Sequence, residues 1–252
     1  MRTLLQPVQH LIGQIIRGLS KVIVGPMIYG QKDDYDAQRY WRDRFSKYGD
    51  SLKGPGHEGM SEQENQKAYQ TAAQIFINTC LNSGIDLANA RILEIGCGTG
   101  FYTETLANLG AKNYLGLDIT DVLFPKLKQK FPHFQFIKKD ITTDAISGEF
   151  DLIVMIDVIE HIVKEEKLSF AMQTIKNCLS KEGIFLIAPL TEMKKRELFY
   201  VNFWSIEDLK LRFVNWNFGE SIPFRNGLLF CIKPGQIELQ LDQKTLPVKS
   251  QL

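Results

Sequence analysis

The sequence predicts a single α/β domain: a doubly wound, largely parallel sheet of seven strands whose last pair is antiparallel, with an N-terminal helical extension. Three observations carry that reading. From Arg91 to Ala188 short apolar runs alternate with amphipathic helical stretches, the pattern that makes successive strands parallel and puts helices on both faces. A glycine-rich turn, Gly96-Cys-Gly-Thr-Gly100, follows directly on the first of those runs. Finally, 252 residues at 44% hydrophobic and 23% charged suit one globular domain with an appendage and exclude two large domains, a disordered chain or a collagen-like one.

Residues 1–32 form the first block. They contain Arg2, Arg17, Lys21 and Lys32 and no acidic side chain. Leu4, Leu5, Val8, Leu11, Ile12, Ile15, Ile16, Leu19, Val22 and Ile23 recur at three- and four-residue steps, which predicts one apolar helical stripe. Gln6, Gln9, His10, Gln14, Arg17 and Lys21 lie mostly opposite it. Such a basic amphipathic helix fits packing on its own domain or a partner subunit, peripheral contact of residues 1–30 with a membrane surface, or an organelle transit peptide. Gly13, Gly18 and Gly25 weaken it. The uncharged stretch Thr3 to Ile16 is shorter than the roughly 20 apolar residues a span needs, so no transmembrane helix and no cleavable signal peptide are expected.

Residues 33–84 are expected to be a helical lid. Tyr35, Tyr40, Trp41, Phe45 and Tyr48 among alternating charges suggest a short helix, and the turn-rich segment from Lys53 to Gly59 a loop. Ser61 with Glu64 three residues on is a capping-box signature. Ala68, Ala72, Ile75, Phe76, Thr79 and Cys80 then continue as a helical stripe to Gly84.

Residues 85–235 make the sheet domain. Its predicted strands are Arg91 to Ile95, Asn113 to Asp118, Gln135 to Lys138, Leu152 to Ile156 and Ile184 to Ala188. Helices fit between them at Phe101 to Leu109, Val122 to Phe131 and Lys164 to Leu179. A further helix starts at Ser205 with Asp208 at its third position, stapled by Trp204 and Leu209. Two last strands, Val214 to Ile222 and Leu228 to Lys233, flank a loop holding Pro223 and Gly227 and read as antiparallel. Residues 236–252 form a polar tail expected to be poorly ordered.

Composition limits the function. Lys and Arg total 30 against 29 Asp and Glu, a net charge of +1, so the global basic field of a nucleic-acid binder is missing. The cysteines at 80, 97, 178 and 231 share no CxxC spacing and suggest neither a zinc site nor a disulfide framework. They read as reduced thiols of a cytoplasmic protein.

The glycine turn carries the strongest functional signal. At the carboxyl end of a first strand, glycines let the backbone approach a ligand and leave helix N–H groups to donate. A dinucleotide fingerprint needs Gly-x-Gly-x-x-Gly, but the third glycine comes one residue early, at Gly100, with Phe101 where the helix-packing glycine belongs. That disfavours a pyrophosphate. Asp118, ending the second strand about 20 residues after the glycines, is placed to accept the two hydroxyls of a ribose. Asp140 ends the third strand, where its carboxylate could accept from an adenine amino group while Ile141 packs on the ring.

With these residues in order, the sequence resembles the class I S-adenosylmethionine-dependent methyltransferases, a Rossmann-like fold, over roughly residues 65–235. The resemblance rests on Leu93 to Gly100, Gly116-Leu-Asp118, Lys139-Asp-Ile141 and Phe150 to His161. It implies S-adenosyl-L-methionine as cofactor. Glu94 would order the loop near the methionine amino group, Gly96, Cys97, Gly98 and Gly100 would border the methionine and ribose, Asp118 and Ile119 would meet the ribose, and Asp140 and Ile141 would hold adenine. Asp157 would complete the cofactor set.

Methyl transfer to a hydroxyl needs the acceptor in line and one base. Asp157, Glu160 and His161 follow the fourth strand, where the sheet's carboxyl end faces the ligand. His161, with Glu160 beside it, is the catalytic candidate, an unperturbed imidazole titrating near 6.5; the plain alternative is a capping or packing histidine. This Glu-His pair resembles that of ubiquinone-biosynthesis-type O-methyltransferases. It superficially resembles small-RNA 3′-end methyltransferases as well, which hold magnesium with two acids and two histidines, yet no histidine follows His161. No metal site is therefore expected.

The expected acceptor is a small molecule or a glycan- or lipid-linked group methylated at oxygen, and nucleic acid is not. Metal-assisted RNA methylation and a non-catalytic cofactor-binding adaptor are the alternatives. Tyr40, Trp41, Arg44, Tyr48, His57 and Glu58, together with Thr191 to Trp204, are candidate acceptor contacts or simply packing. Lys194-Lys-Arg196 is a candidate anion site or a solvated loop.

Overall fold

A computed structural model describes residues 18–235. Most of the helix expected over residues 1–32 and the tail 236–252 lie outside the described residues. The described part of the extension is helical, a π-turn at Ser20–Val24 followed by α1, Gly25–Tyr29. Leu19, Val22, Ile23, Met27 and Ile28 are exposed on it.

A small antiparallel pair, Gly30–Gln31 with Asp34–Tyr35, leads into α2, Ala37–Tyr48, whose N-cap Asp36 accepts from the Arg39 N–H. Next is α3, Glu62–Asn82, opened by the reciprocal Ser61–Glu64 capping box. Its buried side is Asn65, Tyr69, Ala72, Phe76, Thr79 and Cys80. Ala68, expected in the stripe, is exposed and Tyr69 takes the inward position.

The sheet is built from β1 (Arg91–Ile95), β2 (Asn113–Asp118), β3 (Gln135–Lys138), β4 (Phe150–Ile156), β5 (Leu179–Leu190), β6 (Asn217–Phe218), β7 (Ile222–Phe224) and β8 (Gly227–Lys233). Its order is β6-β8-β5-β4-β1-β2-β3, with β7 also pairing β8. The first five strands are parallel, and β8 runs antiparallel to β5. Reversal of direction about β1 places the glycine turn at the crevice where a doubly wound sheet binds ligands. The crossover helices are α4 (Phe101–Asn108), α5 (Phe124–Lys130) and α6 (Glu165–Cys178), and α7 (Ile206–Lys210) carries the Ser205–Asp208 capping box.

Several boundaries differ from expectation for local reasons. The helix expected from Val122 starts at Phe124, because Pro125 has no N–H and is tolerated only in a first turn. The strand Val214 to Ile222 becomes β6 and β7, two pieces along one edge of β8, interrupted after Phe218 where the Gly219 N–H turns to the Cys231 carbonyl. Pro223 sits inside β7 and not in a loop, which an edge position permits because its missing donor breaks no ladder. Finally, β5 begins at Leu179, which pairs with Phe150; the register shifts across the polar Ser180-Lys-Glu182 run and the ladder resumes at Leu152 and Ile184.

Alternation along the strands divides the core. Ile92, Leu152 and Leu186 point to one face, with Phe76 and Leu106, while Leu93, Ile153 and Phe185 point to the other, with Met172, Trp204 and Leu209. A third cluster, Tyr35, Tyr40, Val163, Tyr200 and Val201, seats α2 on the loops beyond β4 and β5. The lid helix is thereby packed over the carboxyl end of the sheet.

Candidate functional site

One cleft of about 1000 Å³, its open mouth included, lies at that carboxyl end. It is lined by the glycine turn, the ends of β2, β3 and β4, and Trp41 and Phe45 from α2. Every expected site residue except Gly100 and Glu160 lines it.

All three glycines of the turn are left-handed, with φ of +77° at Gly96, +47° at Gly98 and +81° at Gly100. A Cβ at Gly96 would lie 2.2 Å from Val158 Cγ2, and one at Gly100 2.4 Å from Leu127 Cδ2. These two glycines let the turn be packed from behind. At Gly98 nothing comes nearer than Phe45 at 3.5 Å, so this face is the open one, toward the cleft.

Asp118 is 6% exposed. Its Oδ2 accepts the Gly98 N–H and its Oδ1 the Thr120 N–H, both at 3.0 Å. Burial pushes its carboxyl up to about 6 against the pull of these donors. Glu94, also buried, accepts from Tyr114 at 2.5 Å and Thr103 at 2.9 Å, both on Oε2. Burial raises it to about 7. Asp140 Oδ1 accepts from the Thr142 N–H and hydroxyl at 2.8 and 2.6 Å, an Asx turn that fixes the carboxylate beside buried Ile141.

Asp157 and His161 hold the opposite wall. Asp157 pairs with Arg225, Oδ2 to guanidinium at 2.6 Å. Burial raises its carboxyl and Arg225 opposes that rise. His161 Nδ1 lies 3.0 Å from the Tyr200 carbonyl oxygen. A carbonyl only accepts, so Nδ1 carries the proton and Nε2 keeps the lone pair. The imidazole is boxed by Trp41, edge-on at 4.7 Å, and Tyr200, stacked at 5.8 Å. Burial pushes it down to about 4, well below the ordinary value expected from sequence. Glu160 is 8% exposed, its Oε2 buried without a hydrogen-bond partner, and it does not line the cleft. Burial, then the Asp157 carboxylate, raises it far above the usual range.

The other candidates divide. Trp41 lines the cleft, but Arg44 is consumed by the fold, donating to the carbonyls of Lys53, Gly54 and Gly56 and to the Tyr40 hydroxyl. Tyr48 and Lys47 both bond Glu58, and the His57 N–H and carbonyl are held by Asn65. The basic trio is likewise engaged: Lys194 sits over the Trp204 ring at 4.1 Å, Lys195 pairs with Glu197, and Arg196 donates to the carbonyls of Val163, Leu198 and Phe199. Sequence reasoning missed Arg225, 68 residues from its partner, as well as Tyr69 and Tyr102 in the cleft wall. No pattern in the chain links them; only the hairpin β7–β8 brings Arg225 there.

Residues 93–187 match a family model described as a methyltransferase domain. The chain is 27% identical over 119 residues to the ubiquinone biosynthesis O-methyltransferase of Pelagibacter ubique, covering 46% of this chain and 48% of that one. It is likewise 27% identical over 114 residues to the malonyl-[acyl-carrier protein] O-methyltransferase of Bacillus anthracis, covering 44% and 41%. The chain thus spans about half the length of the curated relatives it matches. Magnesium protoporphyrin IX methyltransferase from Synechocystis, solved with S-adenosylmethionine bound, shares the fold at a TM-score of 0.60 and 18% identity, covering 81% of this chain and 98% of that one.

Proposed function

We propose that this chain is a class I S-adenosylmethionine-dependent methyltransferase, a reading supported by the matched methyltransferase domain and the O-methyltransferase relatives, and that it methylates an oxygen of a small-molecule or a glycan- or lipid-linked acceptor. The observation that carries the reading is the shared cleft, with the glycine turn and Asp118 on one wall and a neutral, proton-accepting His161 on the other.

The residues fit the cofactor on two counts. The open face at Gly98 has no side chain to fill it, and a buried carboxylate stands beside it at Asp118. In this proposal the backbone of Gly96, Cys97, Gly98 and Gly100, with Glu94, borders the methionine end; Asp118 and Ile119 take the ribose, Asp140 and Ile141 the adenine, and Asp157 completes the set. When bound, the cofactor supplies an electrophilic methyl group on sulfonium. Trp41 and Phe45 from the packed lid wall the cleft on the side of α2. His161 Nε2 accepts the hydrogen bond of the acceptor hydroxyl and orients its lone pair. An imidazole held near 4 is a weak base toward a hydroxyl. It is nonetheless far more basic than the oxygen just alkylated, so the proton passes to Nε2 once the new C–O bond forms. Glu160, outside the cleft, takes no proton in this scheme.

A lipid-linked acceptor is supported by the exposed face of Leu19, Val22, Ile23 and Met27, which continues a segment free of acid up to Asp33. It suits a peripheral helix on the cytoplasmic side of a membrane. Among the described residues no helix is long and apolar enough to cross a membrane.

The test is transfer of labelled methyl from S-adenosylmethionine into a fractionated lysate, with and without EDTA. Label in the lipid, glycan or metabolite pool supports the proposal. EDTA-sensitive label in RNA, or no label at all, refutes it.

A further inference from the structure

One ion pair ties the far edge of the sheet to the cleft. Asp157 leaves β4 with φ +57°, and Arg225, in the turn between β7 and β8, has φ +49°. Both are left-handed without being glycine, a conformation that persists when its surroundings enforce it. The Asp157 N–H donates to the Ala188 carbonyl at 3.0 Å, and its Oδ2 accepts from Arg225 at 2.6 Å. The hairpin approaches this closely because Gly227 lacks a side chain: a Cβ there would lie 2.5 Å from the Leu190 carbonyl oxygen and 2.9 Å from Pro189. The guanidinium rests over the Tyr69 ring at 4.2 Å.

On the other side of Asp157 the chain turns directly into Val158, the residue that fills the place of a Cβ at Gly96. The contacts therefore run without a gap from Arg225 through Asp157 and Val158 to the glycine turn. We propose that Arg225 is a positioning residue that acts through Asp157 to hold the β4 turn against the glycine turn, and so sets cofactor affinity from the edge of the sheet. The inference rests on the reading of this cleft as the cofactor site. Facing the pair are Tyr69 from α3, Tyr102 from α4 and Glu160 from the turn after β4. None of them replaces the guanidinium as a cation. Without Arg225, Asp157 loses the positive charge that opposes the effect of burial, and its carboxyl rises further.

The experiment is calorimetric titration of the full chain with S-adenosylhomocysteine between about pH 6 and about pH 8, for the wild type, Arg225→Gln, Arg225→Lys, Asp157→Asn and the double variant Arg225→Gln/Asp157→Asn. Circular dichroism confirms folding. Asp118 and Glu94 titrate in this range in every variant, so each Kd is read as a ratio to the wild type at the same pH. Arg225→Gln should bind about 10-fold more weakly at the acid end and recover as pH rises. Arg225→Lys, which keeps the charge, should restore most of the affinity, and the double variant should bind no worse than Asp157→Asn. An unchanged affinity and pH profile in Arg225→Gln overturns the proposal. So does a loss that is equal at every pH and additive with Asp157→Asn, which would mark mere packing. A wild type that does not bind overturns the cofactor reading itself, and this inference with it.

Discussion

Replacing Asp118 by Asn separates what that carboxylate does for the fold from what it does for the ligand. The substitution keeps volume and turns one oxygen into a donor, which must then face the N–H of either Gly98 or Thr120, each now bonded at 3.0 Å. A buried N–H left facing another donor costs about 1–3 kcal/mol. Against that, the carboxyl titrates at about 6 in place of 3.8, so keeping it ionised at neutral pH costs the folded state about 3 kcal/mol relative to the unfolded chain. The two terms nearly cancel. The ligand-free variant should therefore melt within about 4 °C of the wild type at neutral pH. Binding has no such compensation, because a ribose would lose its charged acceptor. The dissociation constant for S-adenosylmethionine should rise about 10- to 100-fold, and the cofactor-induced rise in Tm should shrink with it. Calorimetry with paired melting curves reads both quantities. Affinity within about threefold of the wild type would refute the ribose assignment. A collapse of the ligand-free Tm would refute the claim that burial outweighs the two N–H bonds.

Asp118 and Glu94 are both raised above their unfolded values, to about 6 and about 7. The stability they contribute is thus fully present below about pH 4 and lost progressively as pH rises to about 6 and about 7, so the ligand-free melting temperature should fall between about pH 4 and about pH 7; a rise across that window would contradict the burial argument. His161→Ala should lower kcat by about 100-fold or more while changing cofactor Kd little, and the wild-type kcat should show no His161 inflection between about pH 6 and about pH 7, falling only as pH drops toward about 4. Equal losses in kcat and affinity would make the histidine structural. Gly96→Ala puts a Cβ 2.2 Å from Val158 at a φ of +77° and should cost about 2 kcal/mol or more of stability, whereas Gly98→Ala should cost about 1 kcal/mol by denaturant titration and act on cofactor affinity. Ile23→Glu with Met27→Glu should abolish flotation with anionic vesicles and leave turnover of a soluble acceptor unchanged; retained flotation would remove the membrane reading.

The parts of this molecule that were legible in the sequence are those whose cause is local. β1, β2 and β3 begin and end where their apolar runs do, and both capping boxes form where Ser61 and Ser205 announce them. Each depends on a few neighbouring residues, as does the left-handed turn at Gly96 to Gly100. What could not be read is what the fold assembles from distance. The ordinary imidazole value for His161 ignores the Trp41 and Tyr200 rings around it, one from the lid and one from the loop after β5. Arg44 and the basic trio offered cations to a ligand, but the carbonyls of nearby loops already occupy Arg44 and Arg196. A cationic side chain with several donors is an equally good tool for tying loops together, and local sequence cannot distinguish the two uses. Arg225 is the converse case. It stood in a stretch read as an unremarked turn, and the antiparallel return of β8 along β5 puts that turn at the carboxyl end of the parallel strands, beside Asp157. An antiparallel last strand in such a sheet therefore does more than close an edge, because the turn preceding it is delivered to a residue of the cleft wall, Asp157.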